Sequence, residues 1–317
     1  MTAGAPDPRA GDANGAALES PVEAMLGDGP ASLAEAVARV EADARDGAPA
    51  ASHLLATLAG AGIGMPQSWP AALDHLANAA RGGSVSARGQ LEVLGSEGGA
   101  SGEEPWAALA NSARIADWTA PCAKRVLNAA PRTVAIEGFL PKRACAWLIG
   151  LARGRVKQAL VYNPDGSPAV ESGARSNSFV EFGILNCDVV VLLVRQRIAA
   201  TIGVPVGALE NSQVLHYDVG EQFARHFDYL DPTLPEVAER GQRIVTFLIY
   251  LNDGFDGGET DFPRLGLRHK GGPGDALYFG NLDPAGAPDP RTLHAGLPPT
   301  RGEKWLFSQW VRNRARV

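Results

Sequence analysis

Residues 210–229 read ENSQVLHYDVGEQFARHFDY, followed by QRIVTFLIYLNDGFDGGETDFP at 242–263, GDALYFGNLD at 274–283 and LHAGLPPTRGEKWLFSQWVR at 293–312. The first stretch sets His226 and Asp228 two positions apart. Residues two apart in a strand point to the same face, so this pair offers an imidazole and a carboxylate to one metal. A third ligand must come from elsewhere. His294 lies past three strand-like segments, enough chain to cross a double sheet and return beside the first pair. Two imidazoles and one carboxylate on one face of an octahedron hold non-haem Fe(II) and leave three positions open, which a chelating cosubstrate and dioxygen need. An isolated His-x-Asp is a weak signal that reads far more often as a satisfied surface histidine, so the surrounding sequence decides.

Outward from this stretch, TVAIEGFL at 133–140, RIVTFLIYL at 243–251, DALYFG at 275–280 and KWLFSQWVR at 304–312 are short β-branched and aromatic runs separated by Gly, Pro and Asp. Such runs read as strands. PKRACAWLIGLARGRVK at 141–157 and LNCDVVVLLVRQRIAATIG at 185–203 read as helices. Helices come first and strands follow, which favours an α+β fold with an antiparallel double sheet over a doubly wound parallel one.

Upstream the texture is helical. Residues 32–47, 49–62 and 68–83, rich in Ala and Leu, predict three helices. Ser32 and Ser68 are N-cap candidates, with Glu35 completing a capping box, and Gly47, Gly60 and Gly82 stand where C-caps are needed. The expected organisation is a disordered leader at 1–27, a helical region at 28–95, a linker with a further helix at 96–131, and a catalytic domain at 132–317.

The 317 residues carry 35 acidic and 29 basic side chains, a net charge of -6, so no bulk attraction draws nucleic acid or an anionic membrane. The 37 Gly and 23 Pro suit the turns of a β-rich portion. Cys122, Cys145 and Cys187 stand apart with no Cys-x-x-Cys, so reduced, buried thiols are expected. The N-terminal residues show neither the basic region nor the apolar region of a signal peptide, and no 18-residue apolar run occurs. A cytoplasmic location is the expectation.

Taken in order, the segments from about Glu137 to Arg312 resemble the prolyl 4-hydroxylase-like members of the iron- and 2-oxoglutarate-dependent dioxygenases. GFLPKRACAWLIGLA at 138–152 is similar to their entry helix, and GARSNS at 173–178 to their Arg-x-Ser loop. The resemblance implies a double-stranded β-helix, or jelly roll, with His226, Asp228 and His294 as iron ligands. It further implies Lys304 as the partner of the distal 2-oxoglutarate carboxylate, a role that suits a compact ammonium. Tyr217 takes the position whose hydroxyl commonly bonds the cosubstrate carboxylate, or is a core strand aromatic. Thr260 adds a polar contact there or stabilises a turn, and Gly257 and Gly258 are turn residues. Arg175 reaches a substrate carbonyl or carboxylate, or is a surface arginine, and Trp305 is a substrate contact. Ascorbate is the expected reductant.

Two departures stand out. Phe223 occupies a position where many relatives carry tyrosine, and Pro299 replaces a usual valine. Residues 50–94, separately, resemble a little more than one Sel1-like repeat, a relative of the tetratricopeptide helix pair, which suits a small partner-binding appendage. His53, His75, His216 and His269 receive no role, and the loops 162–178 and 231–242 are expected to be mobile substrate covers.

The implied reaction hydroxylates an unactivated C–H bond and releases succinate and carbon dioxide. A prolyl residue in a peptide or protein is the favoured substrate, and a free amino acid or other small molecule the alternative. An idle metal-binding scaffold and a metal-dependent hydrolase are readings of other classes.

Overall fold

Strand β9 (Arg243–Tyr250) shows how the apolar runs build the catalytic unit. Its even-numbered residues face one side of the sheet and its odd-numbered residues the other, and its last five residues are buried on both. In the computed structural model, which describes residues 30–95, 105–159, 161–162, 168–169, 175–184 and 186–315, this strand lies inside an eight-stranded antiparallel sheet.

The other strands, in chain order, are β1 (Arg125–Asn128), β2 (Thr133–Ile136), β3 (Lys157–Gln158), β4 (Val161–Tyr162), β5 (Pro168–Ala169), β6 (Ser178–Phe182), β7 (Ser212–Tyr217) and β8 (Phe223–His226). They continue with β10 (Asp256–Gly257), β11 (Thr260–Phe262), β12 (Leu267–His269), β13 (Ala276–Gly280), β14 (His294–Gly296), β15 (Pro299–Arg301) and β16 (Lys304–Arg312). The large sheet runs β1-β2-β13-β9-β16-β7-β6-β3 and a smaller one β12-β11-β14-β8. Leu215, Tyr217, Leu248, Tyr250, Leu277, Phe279 and Leu306 of the large sheet cluster with Phe262 of the small one, forming the core between them. This is the expected α+β jelly roll.

The helices are α1 (Pro30–Arg45), α2 (Pro49–Ala61), α3 (Trp69–Arg81), α4 (Val85–Leu94), α5 (Pro105–Ser112), α6 (Ile115–Thr119), α7 (Lys142–Ala152), α8 (Val189–Ile202) and α9 (Pro235–Arg240). Val37, Val40, Ala51, Leu55 and Leu58 join α1 to α2. No helix among the described residues is long and apolar enough to cross a membrane. The cysteines are free thiols, but only Cys145 is buried; Cys122 and Cys187 are half-buried.

The helical region departs from expectation in detail. Ser68 caps α3 by accepting the Ala71 N–H at 3.2 Å. Ser32, by contrast, lies inside the first turn of α1, which begins at Pro30. Gly60 is interior to α2, where a Cβ would meet Trp69 and Leu192 at 3.1 and 3.2 Å, and the left-handed cap falls to Gly62 at φ 72°. Helix α4 was not among the three expected. Its start is marked by Ser84, which accepts the Ala87 N–H.

The domain boundary also differs. Residues up to 120 together with 182–197 form one unit, and 121–181 with 198 onward form the other. The segment at 105–119 is therefore two helices of the helical unit rather than linker, and the catalytic unit begins before 132. The first half of α8 joins the helical unit because its apolar residues are used there: Leu192 lies against Gly60, and the Val189 N–H donates to Gln90 Oε1 at 3.0 Å. The expected leader and the Gly-rich stretch at 96–104 lie outside the described residues.

Candidate active site

Three strands and a bend bring the site together. His294 on β14 pairs directly with His226 on β8, which places the two imidazoles side by side with ring centroids 4.2 Å apart. Asp228 lies just past the end of β8, in a bend, so the strand alternation expected for His-x-Asp stops one residue short of it. Its carboxylate still faces both rings: Oδ1 is 3.4 Å from His226 Nε2, and Oδ2 is 3.3 Å from His294 Nε2. One donor atom from each of the three residues falls within 4.8 Å of the others.

The tautomers suit metal binding. His226 Nδ1 donates to the Ala224 carbonyl at 2.7 Å and His294 Nδ1 to the Thr292 carbonyl at 3.0 Å, leaving both Nε2 lone pairs free for a cation. Burial lowers the His226 pKa, with His294 adding to the effect. Burial alone would raise that of Asp228, but the neighbouring histidines outweigh it and hold the carboxyl well below the usual carboxylate range. Thr246 donates to Asp228 Oδ2 at 2.7 Å and is itself held by Asn281 at 3.1 Å. A neutral, neutral, anionic donor set with oriented rings fits a divalent iron.

A cavity opens from these donors between the sheets. At its buried end Lys304, the first residue of β16, faces Tyr217 across the strand pair. Its Nζ is 4.6 Å from the Tyr217 ring centroid and has no hydrogen-bond partner among the described residues. Burial is the main cause that pushes its pKa from 10.5 to about 7, with Glu259 opposing and Lys270 adding to the effect, and burial is likewise the main cause that pushes the Tyr217 hydroxyl up to about 12. Thr260 lines the same end, its hydroxyl 2.9 Å from that of Tyr250, which in turn donates to the His269 carbonyl. Gly258, at φ 70°, passes so close that a Cβ would strike Phe255 at 2.7 Å and press on Lys304 Cδ at 3.3 Å. An orphaned buried amine is a costly arrangement, and an anion filling this end would relieve it.

The half-buried Arg175, Phe223 and Trp310 mark the cavity's open end, and Gln213 and Ser308 line it from buried positions. Arg175 Nε is fixed by Asn177 Oδ1 at 3.1 Å, and burial lowers its pKa.

Trp305 is a correction. It sits on the opposite face of β16 from Lys304, because neighbouring strand residues alternate. There it packs at a tilt against the His216 ring at 4.2 Å and under Arg153 at 5.3 Å, and it does not line the cavity. His216, also on that face, bonds Glu303 Oε2 at 3.0 Å.

The sequence reading passed over Thr246, Asn281, Gln213, Ser308 and Trp310. A threonine set into the apolar run IVTFLI was a visible signal for the first. Positions 306, 308 and 310 share the face of Lys304 by simple alternation.

The expected cover at 162–178 falls mostly outside the described residues. The segment 231–242 is not a free loop. It carries α9, and Arg312 binds it through Glu236 and the Gly241 carbonyl. Gln242 exchanges two 2.7 Å hydrogen bonds with the Leu230 backbone.

Residues 212–312 match the family model for the 2OG-Fe(II) oxygenase superfamily. Among curated proteins, the chain is 32% identical to a probable prolyl 4-hydroxylase 3 of Arabidopsis thaliana, over 59% of this chain and 71% of that one. It is 34% identical to prolyl 4-hydroxylase 5 of the same plant, over 58% and 69%. Among solved structures, the viral collagen prolyl hydroxylase from Paramecium Bursaria Chlorella virus-1, in its 2OG complex, matches at a TM-score of 0.44 and 28% identity, covering 57% of this chain and 95% of that one. The matched segment carries the three metal donors and the buried lysine, and this similarity to the plant enzymes spans most of their length: the chain belongs to the 2OG-Fe(II) oxygenase superfamily, as a homologue of the prolyl 4-hydroxylases, and is a 2-oxoglutarate-dependent dioxygenase.

Proposed function

We propose that this dioxygenase hydroxylates a prolyl residue in a peptide or protein. His226, Asp228 and His294 would hold Fe(II), which, when bound with 2-oxoglutarate, supplies the oxidising chemistry and releases succinate and carbon dioxide. The observation that carries the reading is the unpartnered Lys304 amine at the buried end of the cavity that holds the three metal donors. A dicarboxylate bridging the two needs an ammonium at that place. In this reading Tyr217 and Thr260 contribute hydroxyl groups at the same end. Arg175 takes a substrate carbonyl or carboxylate at the open end, and Leu215, Leu248 and Leu306 keep the intervening wall dry.

The prolyl substrate rests on the plant relatives, which are prolyl 4-hydroxylases by name. Ascorbate as reductant and a cytoplasmic setting belong to the same proposal. So does a partner-holding role for the helical unit, whose residues 50–94 resemble a Sel1-like repeat.

The test is a proline-containing peptide library incubated with Fe(II), 2-oxoglutarate and ascorbate. Succinate release and the gain of one oxygen atom on proline are followed by mass spectrometry, with Asp228→Ala beside the wild type. Oxygen gained on proline by the wild type alone supports the reading. Hydroxylation of free amino acids with no peptide product replaces the substrate. Turnover without 2-oxoglutarate would point to a hydrolase instead.

A further inference from the structure

Phe223 and His226 are three residues apart on β8, and a regular pleat would send their side chains to opposite faces. They share a face because the strand bulges. On β14, His294 pairs with His226 and Gly296 with Phe223, so two steps on one strand match three on the other. The extra residue re-aims one side chain toward the site, as bulges beside active sites do. In consequence the Phe223 ring lies flat on the His226 imidazole, with centroids 3.5 Å apart and planes 9° from parallel.

The same phenyl ring has a second partner. The Arg175 guanidinium lies over it at 4.4 Å, and with the imidazole covering one face at 3.5 Å, the cation takes the other. The backbone builds this arrangement. Arg175 and Phe223 form a β-bridge, the Ser176 N–H donates to the Gln222 carbonyl at 3.0 Å, and the Gln222 N–H donates to Ser176 Oγ at 2.9 Å. One electron-rich ring thereby serves a guanidinium on one side and, on the other, an imidazole that becomes electron-poor when it ligates a metal.

The two histidines are held differently. His294 is buried, with Phe262 and Phe279 both against its ring. His226 is more exposed, and besides its bond to Ala224 and the tilted contact with the His294 ring, the ring stacked flat on it among the described residues is Phe223.

We propose that Phe223 is a positioning residue for the metal centre. Its flat ring, clamped by Arg175, fixes the His226 imidazole in the ligand orientation and links the guanidinium at the open end to the metal. The inference rests on the three-residue metal site proposed above.

The full-length protein is titrated with Co(II) in the presence of 2-oxoglutarate, reading affinity and the d–d absorption band of wild type, Phe223→Leu, Phe223→Tyr and Arg175→Met. Phe223→Leu keeps apolar bulk but removes the flat face. It is expected to weaken Co(II) binding by about 10- to 100-fold, as loss of a ligand's outer support does, and to change the band. Phe223→Tyr keeps the face and should stay within about twofold of wild type. Arg175→Met should change the band with a smaller loss of affinity, and it serves as the second probe if the leucine variant does not fold. Wild-type affinity and band shape in both Phe223→Leu and Arg175→Met overturn the proposal, as does a tyrosine variant as defective as the leucine one. Failure of the wild type itself to bind Co(II) would instead refute the metal site.

Discussion

Replacing Lys304 by methionine separates what the ammonium does in binding from what it does to the fold. The amine is fully buried with no hydrogen-bond partner among the described residues, and burial, as the main cause, pushes its pKa from 10.5 to about 7. A base whose pKa is lower folded than unfolded binds fewer protons when folded. Stability therefore rises with pH between the two values and bears the whole penalty below the lower one. At 1.36 kcal/mol per pKa unit, the slope in that window is about 1.4 kcal/mol per pH unit and the whole penalty is on the order of 5 kcal/mol. Methionine keeps an unbranched stem of similar length without the charge. The metal- and cosubstrate-free Lys304→Met protein should thus be more stable than wild type near neutral pH, with the difference shrinking as the pH approaches 10.5. Its affinity for 2-oxoglutarate should fall by roughly 2–5 kcal/mol, the loss typical of removing one partner of a buried charge pair. Urea unfolding followed by tryptophan fluorescence, at pH steps from about 6.5 to 9.5 with a chelator present, reads the first effect, and calorimetric titration with 2-oxoglutarate the second. A variant no more stable than wild type at about pH 6.5, or one with the same pH slope, would refute the buried-amine argument.

Gly258→Ala should both strain a left-handed backbone and crowd Phe255 and the Lys304 stem, costing about 1–2 kcal/mol or more in thermal unfolding and raising KM for 2-oxoglutarate more than it lowers kcat. Thr246→Val removes the donor to Asp228 and the acceptor for Asn281; metal affinity measured by Co(II) titration should drop about 10-fold or more, while KM for 2-oxoglutarate at saturating metal changes little. Trp305→Ala should cost about 3–5 kcal/mol in chemical denaturation by emptying the space against His216 and Arg153. Because that space lies outside the cavity, Trp305→Phe should leave KM for both substrates near wild type, and a large rise would restore a substrate role.

The chemistry was legible in the sequence because donors of the right type are few and their identities are local facts. His226, Asp228, His294 and Lys304 could be named once their short motifs were taken together with the resemblance of the ordered segments around them, and the apolar runs nearby read as strands by composition. Alternation along β16 would also have removed Trp305 from the substrate side, since it cannot share a face with Lys304. The first half of α8 was harder to place. Its residues are apolar all round, so periodicity identified a helix without saying which unit would bury it.

What the amino-acid order determined by itself was the set of ligating atoms, the apolar core strands around them and the Phe223 departure. What only the tertiary structure decided was their meeting: the bulge that turns Phe223 onto His226, the bend that brings Asp228 back to both rings, and the register that sets Lys304 against Tyr217 with no partner. The reason is physical. Side-chain chemistry belongs to one residue, whereas register, bulges and burial are set by pairing between segments far apart in the chain, whose energies no local stretch contains.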